Sequence, residues 1–349
     1  MLTNYLYLCI CFASIVGLPF PQEIPIQGTL DAGWEFVRDL FRENFVEKRD
    51  VGGSIAIYHQ GKLVVDLTGG YFDRSMSKVY DNNTLQLVFS TTKGITAIAV
   101  ALCVERGWLD YSELVSRYWP EYAQNGKEYT TVADILSHRA GLPLLPSSAE
   151  YYFNWTAMIQ FLEQEKPLWS PGSAYSYHAL TYGHLAAELI QRVDPKQRTI
   201  TQFIQDEIAD PLNVEFYVGL PKDEEYRVSP LILSPESFQG MNDSTQSLFL
   251  DFNEPIVHQV PIPAANGITN ARSLAKIYAA LIMNVEDNKK EFLNRTILEE
   301  AIRSTTLDGE LDFLTNTSMT FGMGFLLFDK EFPFFNSTIF GHVGNQIKL

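Results

Sequence analysis

A serine three residues before a lysine can be a nucleophile beside its base. Positions i and i+3 share one face of a helix, so the amine can reach the hydroxyl. The spacing occurs at Ser75/Lys78, Ser90/Lys93 and Ser273/Lys276. Chance alone gives about one or two such pairs in a chain of this composition, so context must separate them. Ser75 and Lys78 stand in the polar stretch Asp73 to Asn83, which reads as loop. Ser273 and Lys276 stand on a helix whose apolar face is Leu274, Ile277 and Leu281, which turns Lys276 toward solvent. Ser90 and Lys93 differ. They stand where the apolar run Leu85 to Phe89 ends and the almost wholly apolar stretch Gly94 to Val104 begins.

A helix beginning at Ser90 would aim unpaired N–H groups and partial positive charge at a developing oxyanion. A lysine buried there loses water around its charged form, and its pKa falls. A neutral amine can then take the serine proton. In the alternative reading Ser90 is a helix cap and Lys93 snorkels to the surface.

The elements that must hold this pair follow from periodicity. Leu30, Trp34, Val37, Phe41 and Phe45 recur at helical spacing and predict a helix over residues 29–47. Ser54 to Tyr58 and Lys62 to Leu67 alternate as strands around Gln60-Gly61, a hairpin signal. The run Gly94 to Val104 is apolar all round and predicts a buried helix. Helical segments are expected at 131–138, 155–164 and 180–193, in a region punctuated by Pro143, Pro146, Pro171, Pro195 and Pro211. A further helix starts near 270, and strand-like runs close the chain at Phe325 to Phe328 and Thr338 to His342. The order predicts an α/β (α+β) architecture. A discontinuous sheet domain takes residues 28–107 and 256–349, and a mostly helical inserted domain takes 108–255.

Bulk properties bound the function. The chain has 349 residues, 46% hydrophobic and 19% charged, with a net charge of −16. That balance fits a globular protein and argues against nucleic acid or an anionic membrane surface as partner. The uncharged apolar run Tyr5 to Val16 falls short of the about 20 residues of a stable membrane span. With Gly17-Leu18-Pro19 following, residues 1–20 read as a signal peptide, although the first basic side chain is Arg38. Asn-X-Ser/Thr sequons at Asn82, Asn154, Asn242, Asn294, Asn316 and Asn336 exceed the about two expected by chance. Both features predict a secreted glycoprotein; an N-terminal membrane anchor is the alternative. Beyond Cys9 and Cys11 only Cys103 remains, and it reads as a small buried hydrophobe. His184 and Glu188 share a helix face without a second histidine, so neither a metal site nor a cofactor is predicted.

Phe89-Ser90-Thr91-Thr92-Lys93-Gly94 resembles the nucleophile motif of the serine β-lactamases, penicillin-binding proteins and β-lactamase-fold carboxylesterases. Four more segments stand in that superfamily's order. They are His138-Arg139-Ala140-Gly141-Leu142, Trp169-Ser170-Pro171-Gly172 leading to Tyr175-Ser176-Tyr177, Asn266-Gly267 leading to Ala271-Arg272-Ser273, and Gly341-His342-Val343-Gly344. The resemblance covers about residues 30 to 345 and is greatest to the esterase-like and animal members. It implies a β-lactamase/transpeptidase-like fold with an antiparallel sheet flanked by helices. It implies Ser90 as acylated nucleophile, with Lys93 and Tyr177 sharing the base work. A tyrosine set between two cations would have its pKa lowered. His342 and Gly344 would face substrate, and the backbone N–H groups of Ser90 and Asn345 would form the oxyanion hole. His138 would pin a turn and do no chemistry.

Three departures qualify these expectations. Lactam-hydrolysing relatives place an Asn two residues after the tyrosine, where this chain has Ala179. They carry Lys where this chain has His342, which removes a permanent cation for a substrate carboxylate. Both changes favour a small neutral ester or peptide-like substrate. The chain also ends at Leu349, before the final strands and C-terminal helix that the resemblance implies. An open sheet edge would then lower stability and invite self-association. A catalytically inactive protein with a binding or assembly role on the same fold is the competing reading.

Overall fold

The computed structural model describes residues 7–13, 23–146, 148, 150–232, 251–285, 291–334 and 338–344, with 7–13 by backbone alone. Its main sheet combines β1 (Tyr7–Ala13), β2 (Ile26–Leu30), β3 (Gly52–His59) and β4 (Lys62–Gly70). The order is β1-β3-β4-β2 and every pair is antiparallel. Between β3 and β4, Gln60 and Gly61 both take positive φ, 53° and 82°. That is the handedness a tight two-residue hairpin turn requires.

Alternation along β3 sends its side chains to two layers. Ile55 and Ile57 join a core with Val37, Phe41 and Phe45 of α1 (Glu35–Val46). Ala56 and Tyr58 join the main core on the other face, where the helix Ala271–Ile282 packs against β3.

Two sequence expectations shift at the N-terminal side. The helix predicted over 29–47 begins at Glu35, because Ile26–Leu30 pairs with β4 instead. Gly33 makes the break, with φ 92° and its N–H donated to the Glu35 carboxylate. Tyr7–Ala13, inside the segment read as a signal peptide, pairs with β3 from Gly52 to Tyr58. That flank of β3 therefore carries a strand. No helix among the described residues is long and apolar enough to cross a membrane.

The centre of the molecule is α2 (Thr91–Glu105), buried from Thr92 through Cys103 and packed on a second long helix, Thr181–Val193. Helices Val132–Leu136 and Trp155–Gln164 complete this layer. Thr131 and Asp134 form a capping box on the first, and Asn154 caps the second. A small sheet of Gln86–Leu87, Ile268–Thr269 and Phe216–Tyr217 lies ahead of α2. Its third strand lies within residues 108–255. A two-stranded ladder pairs Leu326–Leu327 with Phe340–Gly341 and leads into His342.

Candidate active site

The chain turns sharply from Gln86–Leu87 into α2 through Phe89, whose φ is 45°. A bulky residue there is an outlier that its surroundings must hold. The Phe89 ring packs on Phe252 at 5.2 Å. On either side Val88 donates its N–H to the Gly267 carbonyl at 2.8 Å, and Thr92 Oγ1 accepts the Gly267 N–H at 2.8 Å. Gly267 lies so close that a Cβ there would crowd Thr92 Oγ1. Ser90 is thus fixed as the residue on which α2 begins.

Lys93, one turn on, has no exposed surface. Its Nζ lies 3.2 Å from Ser90 Oγ and donates to the carbonyl oxygens of Ala179 at 2.7 Å and Ala264 at 2.9 Å. Burial pushes its pKa well below the ordinary lysine value. A neutral amine has two N–H bonds and one lone pair. With both N–H bonds satisfied by carbonyls, the lone pair is left for the serine.

The Ala264 carbonyl is presented by a loop folded around Asn266. That buried amide accepts the Ile262 N–H at 2.9 Å and donates to the carbonyls of Val257 and Val260 at 2.7 and 2.6 Å. The segment singled out in the sequence as Asn266-Gly267 therefore works through its backbone.

Tyr177 stands on the other side of Ser90, and its phenol hydrogen-bonds the serine hydroxyl. Lys93 Nζ lies 4.7 Å from its ring centroid, and the rings of His138 and His342 are 4.9 and 6.2 Å away. Burial raises the phenol pKa, and the bond to Ser90 offsets only part of this. The expected lowering is therefore corrected, because burial strips water from the phenolate and dominates its surroundings. Burial lowers His342 to about 3, with Lys93 adding to the effect. His342 Nδ1 lies 2.9 Å from the Val343 carbonyl, which fixes its proton there, and the buried Nε2 has no protein partner.

His138 ends the helix Val132–Leu136 at φ 63° and accepts the His178 N–H on Nδ1 at 3.0 Å. His178 accepts the Leu142 N–H at 2.9 Å on Nε2 and donates Nδ1–H to Ser176 at 2.6 Å. Burial lowers its pKa to about 4. Both imidazoles brace the loop that carries Tyr177.

Gly344 reaches the start of α2 so closely that a Cβ would collide with the Val88 carbonyl oxygen. Asn345, Asn242 and Asn336 lie outside the described residues. Asn82, Asn154, Asn294 and Asn316 are exposed. The other two Ser-X-X-Lys pairs lie elsewhere. Ser273 Oγ accepts the Glu215 N–H at 3.0 Å, and Lys78 Nζ sits 3.8 Å over the Phe72 ring. Sequence reasoning missed two contributors, the backbone carbonyl of Ala179 and the carboxylate of Asp312 beside Tyr177. Neither belongs to a side-chain motif.

Comparison with known proteins places the chain among relatives. A family model described as Beta-lactamase matches residues 37–347. The chain is 29% identical to Esterase/beta-lactamase LipL of Mycobacterium tuberculosis over 341 residues, 91% of this chain and 77% of the relative. Among solved structures it is similar to a family VIII carboxylesterase, with a TM-score of 0.78 and 30% identity over 87% of this chain and 83% of that one. A penicillin-binding protein homologue from Caulobacter crescentus gives a TM-score of 0.81 and 31% identity, covering 92% and 88%.

Proposed function

The chain belongs to the beta-lactamase family and has its β-lactamase/transpeptidase-like fold, and on that premise we propose that it is a serine hydrolase of small neutral esters or amides, working through an acyl-enzyme on Ser90. The observation that carries this reading is Lys93, buried with two carbonyl acceptors and its Nζ 3.2 Å from Ser90 Oγ. The names of the similar proteins, an esterase/beta-lactamase and a carboxylesterase, support it.

In this reading Ser90 Oγ attacks the substrate carbonyl carbon while its proton passes to Lys93 Nζ. The helix N-terminus at Ser90 receives the oxyanion, and the resemblance assigns the second donor to the Asn345 N–H. When the tetrahedral intermediate collapses, the bond to the leaving group breaks. The leaving oxygen or nitrogen takes a proton from Tyr177, which regains one from the Lys93 ammonium. Water then enters and its oxygen attacks the acyl carbon as Lys93 Nζ takes its proton; the bond to Ser90 Oγ breaks, Oγ takes that proton back from Lys93, and the acid leaves. Tyr177 thus works as a protonated relay rather than a resting phenolate, which accords with its raised pKa. A neutral His342 favours uncharged substrates, since it brings no fixed cation for a carboxylate.

Entry into the secretory pathway belongs to the same proposal. It rests on the apolar run Tyr5 to Val16 and on the four exposed sequons. N-terminal sequencing and enzymatic deglycosylation of the secreted protein test it. The catalytic proposal is tested by hydrolysis of a short-chain nitrophenyl ester beside Ser90→Ala. Turnover should vanish in the variant, and equal rates in both proteins would overturn the proposal.

A further inference from the structure

We propose that Asp312 is a positioning residue for Tyr177, setting the rate of the chemical step through the backbone of the tyrosine. The proposal rests on the reading of Tyr177 as the proton relay. Asp312 is 1% exposed. One carboxylate oxygen accepts the Tyr177 N–H at 2.7 Å, and the other accepts the Ser176 hydroxyl at 2.8 Å. The same carboxylate accepts the N–H groups of Leu314 and Thr315, both at 2.9 Å. Four donors converge on one buried anion, which fixes the loop after Asp312 and the segment Ser176-Tyr177 to each other.

Neighbouring contacts tighten the same junction. Phe313 donates its N–H to the Tyr175 carbonyl at 2.8 Å, and the Tyr175 hydroxyl donates to the Thr317 carbonyl at 3.3 Å. Arg139 pairs with the Glu310 carboxylate and donates to the Thr305 carbonyl at 2.9 Å. Those bonds hold the loop in place without Asp312, so loss of its carboxylate should loosen Tyr177 locally and leave the fold intact.

The geometry of a proton relay must be held closely, and a displacement of about 1 Å can cost a hundredfold in rate. An amide at position 312 keeps the size but cannot accept four N–H or O–H bonds. Asp312→Asn should therefore lower kcat for a nitrophenyl ester about 10- to 100-fold and change KM by less than about threefold. Ser176→Ala removes a single donor and should lower kcat in the same direction by less.

A double-mutant cycle with Tyr177→Phe provides the readout that a merely structural role would not move. Once the phenol is gone, adding Asp312→Asn should lower kcat by less than about twofold. An equal loss in both backgrounds, or an unchanged kcat in Asp312→Asn while Tyr177→Phe is impaired, would overturn the inference alone. Full activity in Tyr177→Phe would instead overturn the relay on which the inference rests.

Discussion

The carbonyl oxygen of Ala179 accepts a hydrogen bond from Lys93 Nζ at 2.7 Å. An alanine thus does with its backbone what its side chain cannot do. Together with the Ala264 carbonyl it satisfies a buried amine without a carboxylate, and so without stabilising the charged form as an ion pair would. The site thus favours the neutral amine, the form that the proposed base role requires.

A residue that cannot lose its proton should fail at this position. Lys93→Arg keeps donors for both carbonyls but stays charged at any working pH. We predict a loss of about 10²–10⁴-fold in kcat/KM, measured on a nitrophenyl ester, with circular dichroism unchanged. In the proposed mechanism the neutral amine is the active form. The rate should therefore rise with pH through the Lys93 pKa and level off above it. That rise should lie well below 10.5, the ordinary value, because burial lowers the pKa. A rise centred on the ordinary value would contradict the role.

Neutral imidazole at His342 makes a second prediction. No fixed cation at this position is available for a substrate carboxylate, so a neutral ester should outrun a carboxylate-bearing lactam by about 100-fold or more in kcat/KM. His342→Lys should narrow that gap by improving the lactam. Comparable turnover of both substrates by the parent protein would count against the assigned substrate class.

Gly94 tests the packing behind the site. Glycine inside a helix ordinarily costs about 1 kcal/mol relative to alanine, so Gly94→Ala should stabilise an isolated helix. Here a Cβ would meet the Tyr278 hydroxyl and lie 3.3 Å from the His342 Cβ. Overpacking of this kind costs about 1–3 kcal/mol, which outweighs the helix gain. We expect a lower melting temperature and reduced esterase activity. A melting temperature above that of the parent would show that Tyr278 yields freely.

The elements legible in the sequence are those with a strong period or a strong local signal. The hairpin at Gln60-Gly61, the buried α2 and the helix Trp155–Gln164 all follow from apolar spacing and turn chemistry. Ser90 stood apart from Ser75 and Ser273 because it alone joins an apolar run to an apolar helix. What escaped depends on folding. Ile26–Leu30 was hidden by a helical spacing that happened to include Leu30. The Tyr177 phenol follows its burial, which one tyrosine among many does not advertise. Asp312 carries no motif signal in the sequence, and its four donors converge only in the fold.

The central claim is the acyl-enzyme on Ser90. Its most direct test is intact-protein mass spectrometry after rapid acid quench of a reaction with a slowly deacylating ester. The account predicts a mass increase of one acyl group, located on the peptide containing Ser90 and absent from Ser90→Ala. Turnover without such an adduct, or an adduct that persists in Ser90→Ala, would contradict it.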